Sequence, residues 1–226
     1  MDLAFTRPRK RSASTPELEE YDRGSPSDPF GEPLKRTKTD NELDAVDIIP
    51  IAEAWPVDIA SILSSPTLMK PVETGLQAHN NFGNYREGSS MFVLCVQGDY
   101  QLHYDLLCSI LPDLYSISPS LQALVLCRNP SSHSPSASAS FSLPLVQAVG
   151  PSYNHFVRLG LLHPLGGGQC PLDALVLVDS RGRRRLLLPF GWGAGRHVAD
   201  VGGGKTVQDR LMDLLTKAVG ELQKET

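Results

Sequence analysis

Continuous apolar runs alternate with amphipathic stretches along the chain from about residue 90 onward. Runs of this length are typical of buried strands, whereas apolar residues spaced three and four apart are typical of helices. The predicted strands are Phe92–Val96, Leu121–Cys127, Ala174–Val178 and Arg183–Pro189. The predicted helices are Tyr104–Tyr115, Tyr153–Leu162 and a last one from Thr206 to Leu222. A right-handed crossover should make the first two strands parallel, so this order predicts an α/β fold with a mixed sheet flanked by helices.

The first part of the chain lacks this pattern. Residues 1–45 are dominated by charged residues, Ser and Pro, with too few large apolar side chains to offset the entropy of ordering, so we predict a disordered tail. Residues 46–70 are apolar again but are interrupted by Pro50 and Pro56, which predicts a helical arm packed on the domain. The domain itself is predicted to span residues 71–226, with a flexible Ser-rich loop at 129–142.

Two segments of the predicted domain resemble a known family. Residues 97–104 read Gln-Gly-Asp-Tyr-Gln-Leu-His-Tyr and follow the first strand. In this register they resemble the active-site loop of the peroxiredoxins, the alkyl hydroperoxide reductase and thiol-specific antioxidant (AhpC/TSA) family, which carries a proline, a threonine and the peroxidatic cysteine. The strand that starts at Ala174, its turn at Asp179–Gly182 and the basic strand that follows resemble a hairpin of the same enzymes. The resemblance implies a thioredoxin-like fold.

The residues that would carry peroxidase chemistry differ from the family pattern. Gln97 stands at the proline position, Gln101 at the threonine and Tyr104 at the peroxidatic cysteine. Asp173 stands where the family has the arginine that stabilises the thiolate. A phenol forms no sulfenic acid, and a carboxylate repels a thiolate. The resemblance therefore implies a pseudoenzyme, a peroxiredoxin-like domain that acts as a protein-binding or regulatory module.

Other side chains leave two catalytic or ligand-binding alternatives open. Cys170, in a Gly-rich loop, and Cys108, one helical turn after Tyr104, are the candidate thiols of a non-standard thiol oxidoreductase or peroxidase. A more remote alternative is phosphate or nucleotide binding at Gly202–Thr206, through Lys205 and the start of the last helix. The cysteines and histidines show no metal-ligand spacing, so we predict neither a metal nor another cofactor.

Charge and hydropathy limit the partners and the location. The net charge of -4 and pI of about 5.8 do not favour nucleic acid. No stretch approaches the roughly 18 apolar residues of a membrane span and no apolar signal core is evident, which predicts an intracellular protein away from membranes. Arg181 and the run Arg183–Arg185 are expected at a solvated sheet edge or against an anionic partner. Protein partners are predicted, and a homodimer is left open.

The tail carries candidate regulatory motifs. Residues 11–16 read Arg-Ser-Ala-Ser-Thr-Pro, the RSxSxP form that 14-3-3 adaptors bind once Ser14 is phosphorylated. Short basic clusters of the kind read by nuclear import receptors lie on both sides of it. Their members are Arg9, Lys10, Arg11, Lys35, Arg36 and Lys38. We predict a cytoplasmic or nuclear location, or both, and regulation through Ser14.

Overall fold

In the part of the chain that the structure describes, the domain is built on an open, mixed β-sheet of eight strands. The computed structural model describes residues 46–70, 75–98, 102–133, 142–162, 168, 170–190 and 203–226, all within a unit that spans Thr37–Thr226. The strands are β1 Trp55–Pro56, β2 Thr67–Met69, β3 Gln77–Ala78, β4 Phe92–Val96, β5 Gln122–Cys127, β6 Leu145–Gln147, β7 Val149–Gly150, β8 Tyr153–Asn154, β9 Ala174–Val178 and β10 Arg183–Pro189. The helices are α1 Ile59–Leu63, α2 Leu102–Ile117, α3 His155–Arg158 and α4 Gly203–Glu225, with a 3-10 turn at Pro130–Ser132.

The strand order confirms the predicted fold class. The sheet runs β1-β10-β9-β4-β5-β6-β2-β3, while β7 and β8 form a separate small ribbon. β4 and β5 are parallel and are connected through α2, whereas β9 pairs antiparallel with β4 and β10 antiparallel with β9. The order β10-β9-β4-β5 with these directions is that of the thioredoxin-like fold. The prediction that the first two long strands are parallel is also correct.

The central strands are buried on both faces, which explains their continuous apolar sequences. In β4, the side chains of Val93 and Cys95 belong to the core under α2 and α4, whereas Phe92, Leu94 and Val96 belong to the core under α1 and α3. The amphipathic helices cover the sheet from both sides because each has an apolar stripe to bury. None of the helices in the described residues is long and apolar enough to cross a membrane.

Two predicted segments differ from what the structure contains. Residues 46–70 hold one short helix and two strands of the sheet, β1 and β2, where a helical arm was expected. The helix predicted at Tyr153–Leu162 is reduced to α3 because Tyr153 and Asn154 pair with β7 instead. Gly160 follows the helix with φ of 68°, a left-handed conformation that glycine adopts readily at helix ends.

The basic residues of the hairpin differ in exposure: Arg181 is exposed as expected, whereas Arg183 and Arg184 are half-buried and Arg185 is buried. β1 lies outside β10, and the guanidinium of Arg185 is buried. Arg185 Nε donates to Ile49 O at 2.7 Å, and its two terminal nitrogens donate to the Glu225 carboxylate at 2.6 and 3.1 Å. Asp179 Oδ2 lies 3.4 Å from the same guanidinium. The charge can be buried because two carboxylates neutralise it and hydrogen bonds replace water.

Candidate functional site

β4 ends close to the start of α2, where the peroxiredoxin resemblance places its chemistry. The register pairs Val96 with Ala174, so the residue before β9 lies beside the residues that follow β4. Asp173 is only 5% exposed, and its Oδ1 accepts a hydrogen bond from Gly98 N at 2.7 Å. We call Gln97, Gly98, His103, Tyr104 and Asp173 the junction site.

Gly98 brings two backbone segments into direct contact. A Cβ atom added there would lie 2.8 Å from Pro171 O and 3.1 Å from Asp173 Oδ2. Real Cβ atoms do not approach a carbonyl oxygen that closely, so only glycine allows the two segments to meet in this way. The chain after β4 is thereby closed against the chain before β9.

We expect Gly98→Ala to lower the free energy of unfolding by about 1–3 kcal/mol, because the added methyl group must push the two segments apart. Urea unfolding followed by circular dichroism measures the change. Gly75→Ala is the matched control, since a Cβ at Gly75 meets nothing within 4 Å. Equal stabilities for the two variants would show that the contact at Gly98 is not tight in solution.

His103 is a buried neutral base at the first turn of α2. Its ring is 0% exposed, stacks on Phe190 with centroids 5.4 Å apart, and donates from Nε2 to Val96 O at 2.8 Å. Asp173 Oδ1 lies 3.8 Å from the same nitrogen, too far for a hydrogen bond. Burial lowers the pKa of His103 to about 4. Sequence reasoning missed this residue because it searched only for histidines at metal-ligand or catalytic spacing.

Tyr104 is a core ring. It is 1% exposed, and its hydroxyl accepts a long hydrogen bond from Leu143 N at 3.5 Å. Its ring packs against His133, with centroids 5.9 Å apart, and its hydroxyl is also a hydrogen-bond partner of the Cys108 thiol. Burial raises the pKa of Tyr104 well above its usual value. The position that the resemblance aligns with the peroxidatic cysteine is therefore filled by an uncharged aromatic group that solvent does not reach.

The four cysteines divide into three buried thiols and one exposed thiol. Cys95, Cys108 and Cys127 are buried, whereas Cys170 is exposed. Burial, reinforced by the nearby Cys108 and by the Asp173 carboxylate, raises the pKa of Cys95 well above its usual range. Burial also raises the pKa of Cys127 to about 12. Cys170 precedes Pro171, whose carbonyl lies against Gly98, so the exposed thiol is close along the chain to the junction site.

The contact between Ser65 and His155 is structural in character. Ser65 Oγ lies 2.8 Å from His155 Nε2 and donates its own proton to Ser61 O at 2.9 Å. The hydroxyl must therefore accept from the imidazole, which is the reverse of what an activated nucleophile requires. Both side chains are buried, and the His155 ring stacks on Tyr153 at 4.8 Å. This pair fastens α3 to the end of α1.

Several predicted residues lie outside the described part of the chain. These are Gln101, Ser14, Gly202 and the basic clusters Arg9, Lys10, Arg11, Lys35, Arg36 and Lys38. The last helix begins at Gly203, so the second and third glycines of the suggested phosphate loop are helical. Among the described residues, no group of three or more His, Cys, Asp or Glu side chains could hold a metal ion.

Comparison with known proteins gives a partial sequence relative. No protein-family model matches the chain. The Uba3-binding protein but1 of Schizosaccharomyces pombe is 38% identical over 118 residues. The match covers 45% of this chain and 46% of but1, so the chain spans less than half the length of that relative.

Solved structures that resemble the fold are peroxiredoxins. The reduced 2-Cys peroxiredoxin of Plasmodium vivax is 15% identical with a TM-score of 0.41, over 61% of this chain and 72% of its own. Peroxiredoxin Q of Xanthomonas campestris is 11% identical with a TM-score of 0.41, over 72% of this chain and 94% of its own. The bacterioferritin comigratory protein of the same bacterium is 12% identical with a TM-score of 0.42, over 78% and 98%. The thioredoxin-like assignment of this chain rests on its strand order and directions.

Proposed function

We propose that this chain is a non-catalytic, thioredoxin-like module that binds a protein, and that its partner is the Uba3 protein of its own organism. The observation that carries the first part is the burial of Tyr104 at the position aligned with the peroxidatic cysteine. The similarity to the Uba3-binding protein but1 supports the choice of partner. A domain of this fold without reactive chemistry can still act through its surface.

The surroundings of Tyr104 also argue against peroxide reduction. The sulfur of a thiolate must attack the peroxide, so an active site needs an accessible thiol with a low pKa. The nearby cysteines Cys95 and Cys108 are buried, and burial raises the pKa of Cys95. Asp173 adds a negative charge at the junction site, which disfavours a second negative charge beside it. Removing the phenol alone would leave these obstacles in place.

Restoring a cysteine at position 104 is therefore expected to leave peroxide turnover at the background rate. Peroxide consumption by wild type and by Tyr104→Cys is measured with a thiol reductant, together with trapping of sulfenic acid. Tyr104→Ser serves as the matched control, because it opens the same space without adding sulfur. Turnover in Tyr104→Cys well above that of Tyr104→Ser would show that the site retains its catalytic surroundings.

The same assay decides the enzymatic alternative. Cys170 is the exposed thiol among the four cysteines, so it is the sulfur that an added peroxide or disulfide would reach first. Wild-type turnover that is abolished by Cys170→Ser and kept by Cys108→Ser would assign a thiol oxidoreductase or peroxidase. The proposal expects no turnover above background in any of these variants.

Binding is tested directly by isothermal titration of the full chain with purified Uba3. We expect a saturable complex with an affinity in the micromolar range or tighter, that is, a binding free energy of about -8 kcal/mol or stronger. Chain unfolded by heat and cooled before titration controls for nonspecific association. No heat of binding and no co-elution on a sizing column would overturn the proposed partner.

A further inference from the structure

A surface cleft of about 790 Å³ lies at the C-terminal end of α2. It is bordered by Tyr115 of α2, by the loop from His79 to Arg86, by the start of β5 and by the segment that leads into β6. Neither the junction site nor any residue discussed as a candidate thiol lines it. Its volume falls within the usual range of ligand pockets, roughly 300–1,000 Å³.

The described lining of the cleft differs in charge from the protein as a whole. The chain carries a net charge of -4, but the described residues that line the cleft include Arg86 and His79 and neither Asp nor Glu. Arg86 is exposed, and within the described residues its guanidinium forms no ion pair. An exposed cation in a recess whose described lining holds no carboxylate attracts an anionic group.

Two amide side chains of the cleft wall have hydrogen-bonding capacity left over. Asn81 is 3% exposed, and its Nδ2 donates to Thr67 Oγ1 at 2.6 Å. Because the Thr67 hydroxyl donates to Ser65 O, it can only accept from Asn81, which fixes the orientation of the amide. Within the described residues, Asn81 Oδ1 and Gln122 Nε2 then have no partner. A buried acceptor and a buried donor left unpaired are costly, and a ligand that pairs with either amide as it turns toward the cleft would relieve part of that cost.

We propose that this cleft receives an acidic peptide segment of the protein partner. The inference rests on the proposed binding function and names its site. A carboxylate of the segment pairs with Arg86, its side chains pack beside the exposed ring of Tyr115, and its backbone pairs with Asn81 Oδ1 or Gln122 Nε2 once that amide turns toward the cleft. A peptide can enter the cleft from solvent because several lining residues, such as Asn80 and Asn84, are exposed.

The first test uses random peptides displayed on phage and selected on the full chain. We expect the selected peptides to be enriched in Asp and Glu, and to bind Arg86→Glu at least about tenfold more weakly than wild type, a change of about 1.4 kcal/mol. Lys224→Glu is the charge-matched control, since Lys224 is exposed on α4 away from the cleft lining. Selected peptides without acidic enrichment, or equal loss in both variants, would overturn the proposal.

The second test repeats the comparison with Uba3. We expect Arg86→Glu and Tyr115→Ala to weaken Uba3 binding by about tenfold or more. Lys224→Glu and Trp55→Ala, the latter at an exposed aromatic residue on β1, should change it less than twofold. An affinity for Uba3 that is unchanged by Arg86→Glu would overturn the assignment of the cleft and leave the proposed function standing. Absence of Uba3 binding to wild type would overturn the proposed partner, while the peptide selection still decides the cleft.

Discussion

Acidification from about pH 6.5 to pH 4 is expected to lower the free energy of unfolding by several kcal/mol, because two buried histidines resist protonation in the folded chain. Burial lowers the pKa of His103 to about 4, and burial together with the Arg158 charge lowers the pKa of His155 to about 4. In the unfolded chain both imidazoles take up protons near pH 6.5. The unfolded state therefore binds more protons throughout this window, and the stability present above it is lost as the pH falls. Each histidine contributes about 3 kcal/mol to the loss.

Urea unfolding measured at intervals from pH 7 to pH 4.5 provides the profile. His103→Gln keeps a donor for Val96 O, and His155→Gln keeps a donor for Ser65 Oγ, so each variant removes one titrating group with little change in packing. We expect each single variant to lose about half as much free energy of unfolding as wild type between pH 7 and pH 4.5, and the double variant to lose little. A wild-type profile that stays level down to pH 4.5 would contradict the prediction.

Replacement of the buried arginine on β10 is expected to have an effect of similar size. Arg185→Met should lower the free energy of unfolding by about 3–5 kcal/mol, because it leaves the buried Asp179 carboxylate without its cation. The hydrogen bonds to Glu225 and Asp179 raise the pKa of Arg185 against the opposing effect of burial, and the bond to Arg185 lowers the pKa of Glu225. The substitution further removes the bond to Ile49 O that holds the segment before β1.

The control for this experiment lies two residues earlier on the same hairpin. Arg183→Met changes the charge and length of the side chain equally, but Arg183 is only half-buried and is expected to cost less than about 0.5 kcal/mol. Thermal and urea unfolding of the two variants are compared at neutral pH. An Arg185→Met variant within 1 kcal/mol of wild type would show that the packing around the guanidinium is stable without its charge.

The long elements of the fold could be predicted from the sequence. β4, β5, β9 and β10 match the predicted strands to within one residue at each end, and α2 and α4 extend a few residues beyond the predicted helices. These segments can be predicted because neighbouring layers bury one or both of their faces, so their apolar residues follow the spacing of a helix or a buried strand. The parallel pairing of β4 with β5 followed from the general handedness of crossovers.

The remaining features depend on contacts between distant parts of the chain. β1, β2 and β3 have two or three residues each, too few to show a period, and they form because neighbouring backbone is available to pair with. Burial of Arg185 requires Glu225, 40 residues later, and the closure at Gly98 requires Asp173, 75 residues later. The sequence indicates a departure from the family pattern at Asp173, but its hydrogen bond to Gly98 depends on how the chain folds.

The unequal exposure of the thiols gives the unmodified chain a natural attachment point for a nitroxide. Cys95, Cys108 and Cys127 are buried, so a methanethiosulfonate reagent should couple at Cys170 under native conditions. The carbonyl oxygen of Pro171, the next residue, packs closely against Gly98. The electron paramagnetic resonance line shape of the nitroxide at Cys170 would therefore report the rotational freedom of the chain beside that contact. Sub-microsecond separation of the segment after β4 from the segment before β9 could thus be followed in the chain without any substitution.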